Sequence, residues 1–187
     1  MEVLKQYLKS LGFSDNDAET IAVCFRHKHF DKGEFFASEG KMNQYLAFIE
    51  TGVFQYFFNQ EGVEITTYVV GQNGFLASLL SFLQGVPCKE NIRSMTQADI
   101  WLIKKEDFEK LKDAITGFKD FYISILENQI ICIDQSRIGL LTQSAEERYQ
   151  SLLDKEPDLL QQVPLQLLAS TLGITPRHLS RIRGRSR

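Results

Sequence analysis

The chain has 187 residues, of which 43% are apolar and 24% charged, with a formal net charge of −3. That balance argues against disorder and leaves room for one large domain or two small ones. No run approaches the ~20 apolar residues of a membrane span, and Met1–Lys9 is broken by Glu2, Lys5 and Lys9, unlike a secretory signal, so a cytoplasmic location is expected,.

Leu4, Leu8 and Leu11 recur at helical spacing,. Gly12 breaks that pattern, and Ser14 with Asp17 resembles a cap opening a second helix,. Short helices are therefore expected over residues 1–29. From Phe30 to Ile103 glycines fall at roughly ten-residue intervals between short aromatic and β-branched runs such as Tyr45–Ile49, Val53–Phe58 and Ile65–Val70,. This texture predicts a sandwich, barrel or roll, with a hairpin turn at Asn59–Gly62. Phe75 to Leu83 is almost wholly apolar and lacks β-branching, so it reads as a short buried helix set into the strands,. From Phe118 to Ile138 there is neither Gly nor Pro, and Phe118, Phe121, Tyr122, Ile125, Leu126, Gln129, Ile130 and Ile133 recur at steps of mostly three and four. This pattern predicts one long helix with an apolar stripe, and a second copy of the chain is the expected cover for that stripe. The alternative is a helix packed on its own domain. Ser144 with Glu147 is a capping-box candidate for the next helix, which ends before Pro157,.

The last stretch carries the sharpest pattern. From Gln161 onward there is no Asp or Glu, while Arg177, His178, Arg181, Arg183, Arg185 and Arg187 gather there. Leu165, Leu168, Ala169 and Leu172 share a helical face, Gly173 suits a helix end, and Thr175-Pro176 suits the start of another helix,. Leu179 and Ile182 form the inner face of that second helix. Two short helices joined by a glycine turn predict a helix-turn-helix. An acid-free outer face predicts duplex DNA as its partner. Arg177 and Arg181, one turn apart, suit bidentate contacts to guanine. Thr175, Pro176, His178, Ser180 and Arg183 complete the expected DNA-binding set, with Thr175, Arg183, Arg185 and Arg187 as phosphate contacts.

The segments Phe30–Glu34, Glu39-Gly40 and Phe48-Ile49-Glu50-Thr51-Gly52-Val53-Phe54, with the long helix and the terminal helix-turn-helix, resemble the Crp/Fnr superfamily of bacterial regulators. The resemblance implies an α+β fold: a cyclic-nucleotide-binding-like, cupin-like β-roll over 1–112, a dimerisation helix over 113–140 and a helix-turn-helix domain over 141–187. It also implies a cytoplasmic homodimer that reads an inverted-repeat operator and, as an activator, engages RNA polymerase. Family members carry a β-hairpin wing after the recognition helix; here the sequence ends at Arg187, so the wing is expected to be absent or truncated. By this resemblance the effector pocket involves Phe75, Leu76, Ala77, Ser78, Cys88 and Lys89. Ala77-Ser78 stand where cyclic-AMP binders carry Gly-Glu, and Cys88-Lys89 where they carry Arg-Ser. The usual ribose and phosphate contacts are thus missing, and Lys89 leaves room for another small anionic effector. The alternative is an effector or structural module that has lost DNA binding.

Cys24, Cys88 and Cys132 are dispersed, and His27 and His29 have no evident third ligand, so no metal site is expected,. No P-loop, GxSxG, HExxH or dinucleotide fingerprint is present, so no catalytic residue is assigned.

Overall fold

The computed structural model describes residues 1–185, except for the side chains of Asp158 and Arg185. Two helices open the chain, α1 (Glu2–Ser10) and α2 (Asp15–Ala22). Leu4 and Leu8 form the buried face of α1, and the Ser14 hydroxyl caps α2 by accepting from the Asp17 amide at 3.1 Å,. The first strand, β1 (Arg26–Phe30), begins earlier than the sequence pattern predicts. Its four leading residues are polar and exposed because β1 is a sheet edge, so it lacks the apolar alternation that would reveal it,. Pairing with the strand Ala98–Lys104 sets its register, His27 opposite Trp101 and His29 opposite Asp99.

The roll continues through β2 (Phe35–Ala37), β3 (Tyr45–Thr51), β4 (Phe54–Gln60), β5 (Val63–Val70), β6 (Phe75–Leu76), β7 (Asn91–Ser94) and β8 (Ala98–Lys104). Two four-stranded antiparallel sheets result, in the orders β1-β8-β3-β6 and β2-β7-β4-β5. Phe30, Ile49, Phe54, Ile92 and Ile100 pack between them, each at most 1% exposed,. The β4–β5 hairpin turns where expected. Glu61 and Gly62 both take positive φ (52° and 83°), and the Asn59 side chain accepts from the Gly62 amide at 3.1 Å,.

The apolar run from Phe75 to Leu83 is not one helix. Phe75-Leu76 forms β6, paired to Phe48 and Ala47, and only Leu79–Gln84 is helical (α3). The run splits because its first residues complete a sheet, while Leu80 and Leu83 face outward at 41% and 43% exposure.

Helix α4 (Lys105–Ala114) leads into the long α5 (Phe118–Thr142). The latter runs through Gly139 instead of stopping near it. Then come α6 (Ala145–Lys155), α7 (Pro157–Gln162), α8 (Leu165–Thr171) and α9 (Pro176–Arg185). Ser144 and Glu147 make the expected capping box at α6,. The short α7, opened by Pro157 in its first turn, has no counterpart in the sequence pattern,.

Candidate functional site

The C-terminal motif is built from consecutive residues. The α8 helix ends in a Schellman turn: the Gly173 amide donates to Ser170 O and the Ile174 amide to Ala169 O, each at 2.9 Å,. Gly173 has φ +67°, a left-handed conformation cheap only for glycine,. Thr175 caps α9, its hydroxyl accepting from the His178 amide at 3.2 Å, and Pro176 is the first helical residue,. That geometry leaves the Thr175 hydroxyl proton free to be donated. Leu179 (0% exposed) and Ile182 (2%) turn inward onto Leu168, Ala169 and Leu172. Arg177, His178, Ser180, Arg181 and Arg183 all lie exposed on α9. The His178 ring comes within 3.9 Å of the Glu146 carboxylate. Arg187 lies outside the described residues, as does the side chain of Arg185.

Sequence reasoning does not reveal how this motif is held. The Ser170 hydroxyl accepts from the buried Thr66 amide at 2.9 Å, tying α8 to β5. Thr66 is joined in turn to Gln55 (2.9 Å), and Gln55 to Arg93 (2.9 Å), which pairs with Glu64. Around this polar chain, Val53 and Val69 of the roll share one apolar cluster with Leu159, Leu160, Leu168 and Ala169. Arg148 fixes the other side: its guanidinium donates to Gln143 O at the end of α5 and to Leu172 O at the end of α8 (2.8 Å),. No local signal marks Ser170 or the reach of Arg148 to α8, because Thr66 and Leu172 lie far from them in the chain.

A second feature lies between the roll and α5, a cavity of about 540 Å³,. Tyr56, Thr67, Tyr68, Phe75, Ala77 and Glu90 line it from the roll, and Ile125, Leu126, Gln129, Cys132, Ile133 and Arg137 from the helix. Of the six expected pocket residues, only Phe75 and Ala77 reach it. Leu76 and Cys88 are buried in the inner core of the roll, Ser78 precedes α3 without a side-chain cap and is buried, and Lys89 is exposed away from the lining. The Tyr56 hydroxyl is fixed, donating to Ala77 O and accepting from its amide at 3.2 Å. Burial raises the pKa of Tyr56, of Tyr68 and of the Glu90 carboxyl,.

The helix that walls the cavity divides its apolar residues differently from the sequence expectation. Phe118 (0% exposed) and Phe121 (6%) are committed to the protomer's own core with Phe108, and Tyr122 packs on Phe108. Ile125, Leu126, Gln129 and Ile133 line the cavity. The outward apolar stripe is Ile123, Leu126, Ile130, Ile133 and Leu140, with Arg137 between the last two; most of it is solvent-exposed, and Leu126, Ile133, Arg137 and Leu140 border the cavity as well. The spacing alternates three and four residues, the period of a coiled-coil seam.

His27 and His29 are both hydrogen-bonded to Asp99 Oδ1 (2.9 and 3.0 Å). Among the described residues no group of three or more His, Cys, Asp and Glu side chains is placed to hold a metal. Also among the described residues, no helix is long and apolar enough to cross a membrane. Cys88 is buried, whereas Cys24 and Cys132 are only partly so.

Residues 27–114 match the family model of the cyclic nucleotide-binding domain. Beyond that segment, the whole fold is similar to solved structures. FixK2 from Bradyrhizobium japonicum matches with a TM-score of 0.75 at 13% identity, over 86% of this chain and 83% of that one. A CooA variant from Carboxydothermus hydrogenoformans gives 0.72 at 15%, over 97% and 83%. The c-di-GMP-responsive regulator CLP from Xanthomonas campestris gives 0.70 at 15%, over 92% and 91%. No curated protein matches the sequence. At these identities the likeness is one of fold: a β-roll, a long helix and a terminal helical region.

Proposed function

We propose that the chain is a non-enzymatic, cytoplasmic, homodimeric transcription regulator that reads an inverted-repeat DNA operator. One observation carries this reading. In α9 the apolar residues Leu179 and Ile182 are buried, while Arg177, His178, Ser180, Arg181 and Arg183 are exposed on a helix without an acidic residue. A helix so presented fits the major groove, with Arg177 and Arg181 placed to address guanine edges and Thr175 and Arg183 to address phosphates. The fold shared with FixK2 and CLP supports the same assignment.

A second copy of the chain is the proposed occupant of the outward stripe of α5. Leu126, Ile130 and Ile133 continue the heptad begun at Ile123, which a parallel partner helix would cover. Pairing two recognition helices in this way sets the half-site spacing of an inverted repeat. The cavity between roll and α5 is the proposed effector site, because α5 both walls it and forms the seam. As an activator, the dimer would also engage RNA polymerase.

Selection from a randomised duplex pool at two salt concentrations tests the reading. The wild type is expected to enrich an inverted repeat, and Arg177→Ala/Arg181→Ala to lose it, by roughly 100-fold or more if each bidentate contact contributes about 1–3 kcal/mol. Equal, weak, salt-sensitive binding by both proteins would defeat the assignment and leave an effector module without DNA readout.

A further inference from the structure

The cavity at the roll–helix boundary has a chemistry of its own, and the ligand class inferred for it rests on its being the effector site. Its walls are mainly hydrocarbon and aromatic: Leu46, Phe75, Ile125 and Leu140 among others, with the rings of Tyr56 and Tyr68 at 5.6 Å from one another. Two ionisable groups of opposite sign reach the lining, Glu90 and Arg137. Arg137 is already engaged, with Nη2 2.7 Å from Asp134 Oδ1 one helical turn away. Glu90 is not: it is half-buried, and no donor or cation among the described residues offsets its carboxyl. The nearest basic neighbour in sequence, Lys89, points to solvent and contributes nothing to the lining.

A phosphate entering this cavity would meet an unpaired carboxyl and aromatic faces, and the one guanidinium at its edge, Arg137, is exposed and already shared with Asp134. The carboxyl and the ring faces disfavour an anion. A ligand with an apolar body and one ammonium group would find the reverse. Its hydrocarbon fills the walls, its charge pairs with Glu90, and the faces of Tyr56 and Tyr68 favour a cation beside them. We infer that the cavity takes an apolar amine, not a cyclic nucleotide or another anion. This reverses the sign of the effector expected from the family resemblance.

The test uses calorimetric titration of the full chain with matched pairs of equal body and opposite charge. These are phenethylamine against 3-phenylpropionate, and tryptamine against indole-3-propionate, with cyclic AMP as a further anion. The amines are expected to bind at least tenfold more tightly than their carboxylate partners. Glu90→Gln, checked for folding by circular dichroism, should weaken the amines by roughly tenfold or more and leave the carboxylates unchanged or slightly improved. A second variant, Tyr68→Leu, keeps the apolar volume but removes the ring face and should weaken the amines selectively. Carboxylates or cyclic AMP binding as well as the amines would overturn the inference. So would no binding by either amine, or full amine affinity in Glu90→Gln. Operator selection on the unliganded protein is read separately. Intact operator binding with failed amine binding discards the ligand class and keeps the regulator; the opposite result keeps the ligand site and discards the regulator.

Discussion

The two ends of α5 present the same apolar periodicity and put it to different uses. At the N-terminal end Phe118 and Phe121 are spent inside the protomer, stacked on Phe108 and Phe13. At the C-terminal end Ile130 is 65% exposed, and Ile133 (53%) and Leu141 (76%) are exposed at the edge of the cavity. Between them, Ile125, Gln129 and Cys132 turn toward the cavity. Periodicity therefore tells that a helix has an apolar face, and it is silent on what covers that face. The cover is decided by what lies beside each turn: helices α1, α2 and α4 at one end, and the cavity and solvent at the other.

The largest effect should come from breaking the buried end. Phe118→Ala is expected to cost about 3–5 kcal/mol, seen as a lowered denaturant midpoint independent of protein concentration. If that midpoint depended on concentration, Phe118 would belong to a seam after all. Truncating the open end should do the opposite. Ile130→Ala/Ile133→Ala is expected to leave the protomer's own melting nearly unchanged while weakening dimerisation on the order of 10⁴-fold, taking about 1.5 kcal/mol for each of the side chains lost from both copies. Sedimentation across a concentration series reads this directly, and a dimer of unaltered strength would move the seam elsewhere.

Beyond the open end the chain passes into the DNA-binding unit, and its attachment can be probed in the same way. Ser170→Ala removes the acceptor for the buried Thr66 amide. The expected cost is about 1–3 kcal/mol, accompanied by faster amide exchange at Thr66 if the docking of α8 on β5 persists in solution. The smallest effect is local. Ser144→Ala should cost about 1 kcal/mol by removing the cap of α6. Hydrogen bonds from the Ser144 amide and hydroxyl hold the Glu147 carboxyl below its usual pKa. A depressed carboxylate pKa contributes stability above the unfolded value and loses it as pH falls through the folded value. Wild type should therefore lose this contribution on acidification, and Ser144→Ala should flatten the pH dependence below the ordinary glutamate range.

Features with near neighbours in the chain were legible in the sequence. The helix caps at Ser14, Ser144 and Thr175, the hairpin turn at Asn59–Gly62 and the helix end at Gly173 each depend on side chains and amides within a few residues, so residue type and spacing specify them. The buried and exposed faces of α9 follow from the 3.6-residue period alone. Three things lay beyond that reach. β1 is a strand only because β8 pairs with it, and Phe75-Leu76 is a strand only because β3 does. The cavity draws its walls from Leu46 to Leu141, so Glu90 and Tyr68 became pocket residues through packing across the chain, while Leu76, Cys88 and Lys89 turned elsewhere. Local hydrogen bonding and helical period are properties of neighbouring residues, and the sequence determines them. Which face meets which is a matter of long-range burial, and only the tertiary structure settled it.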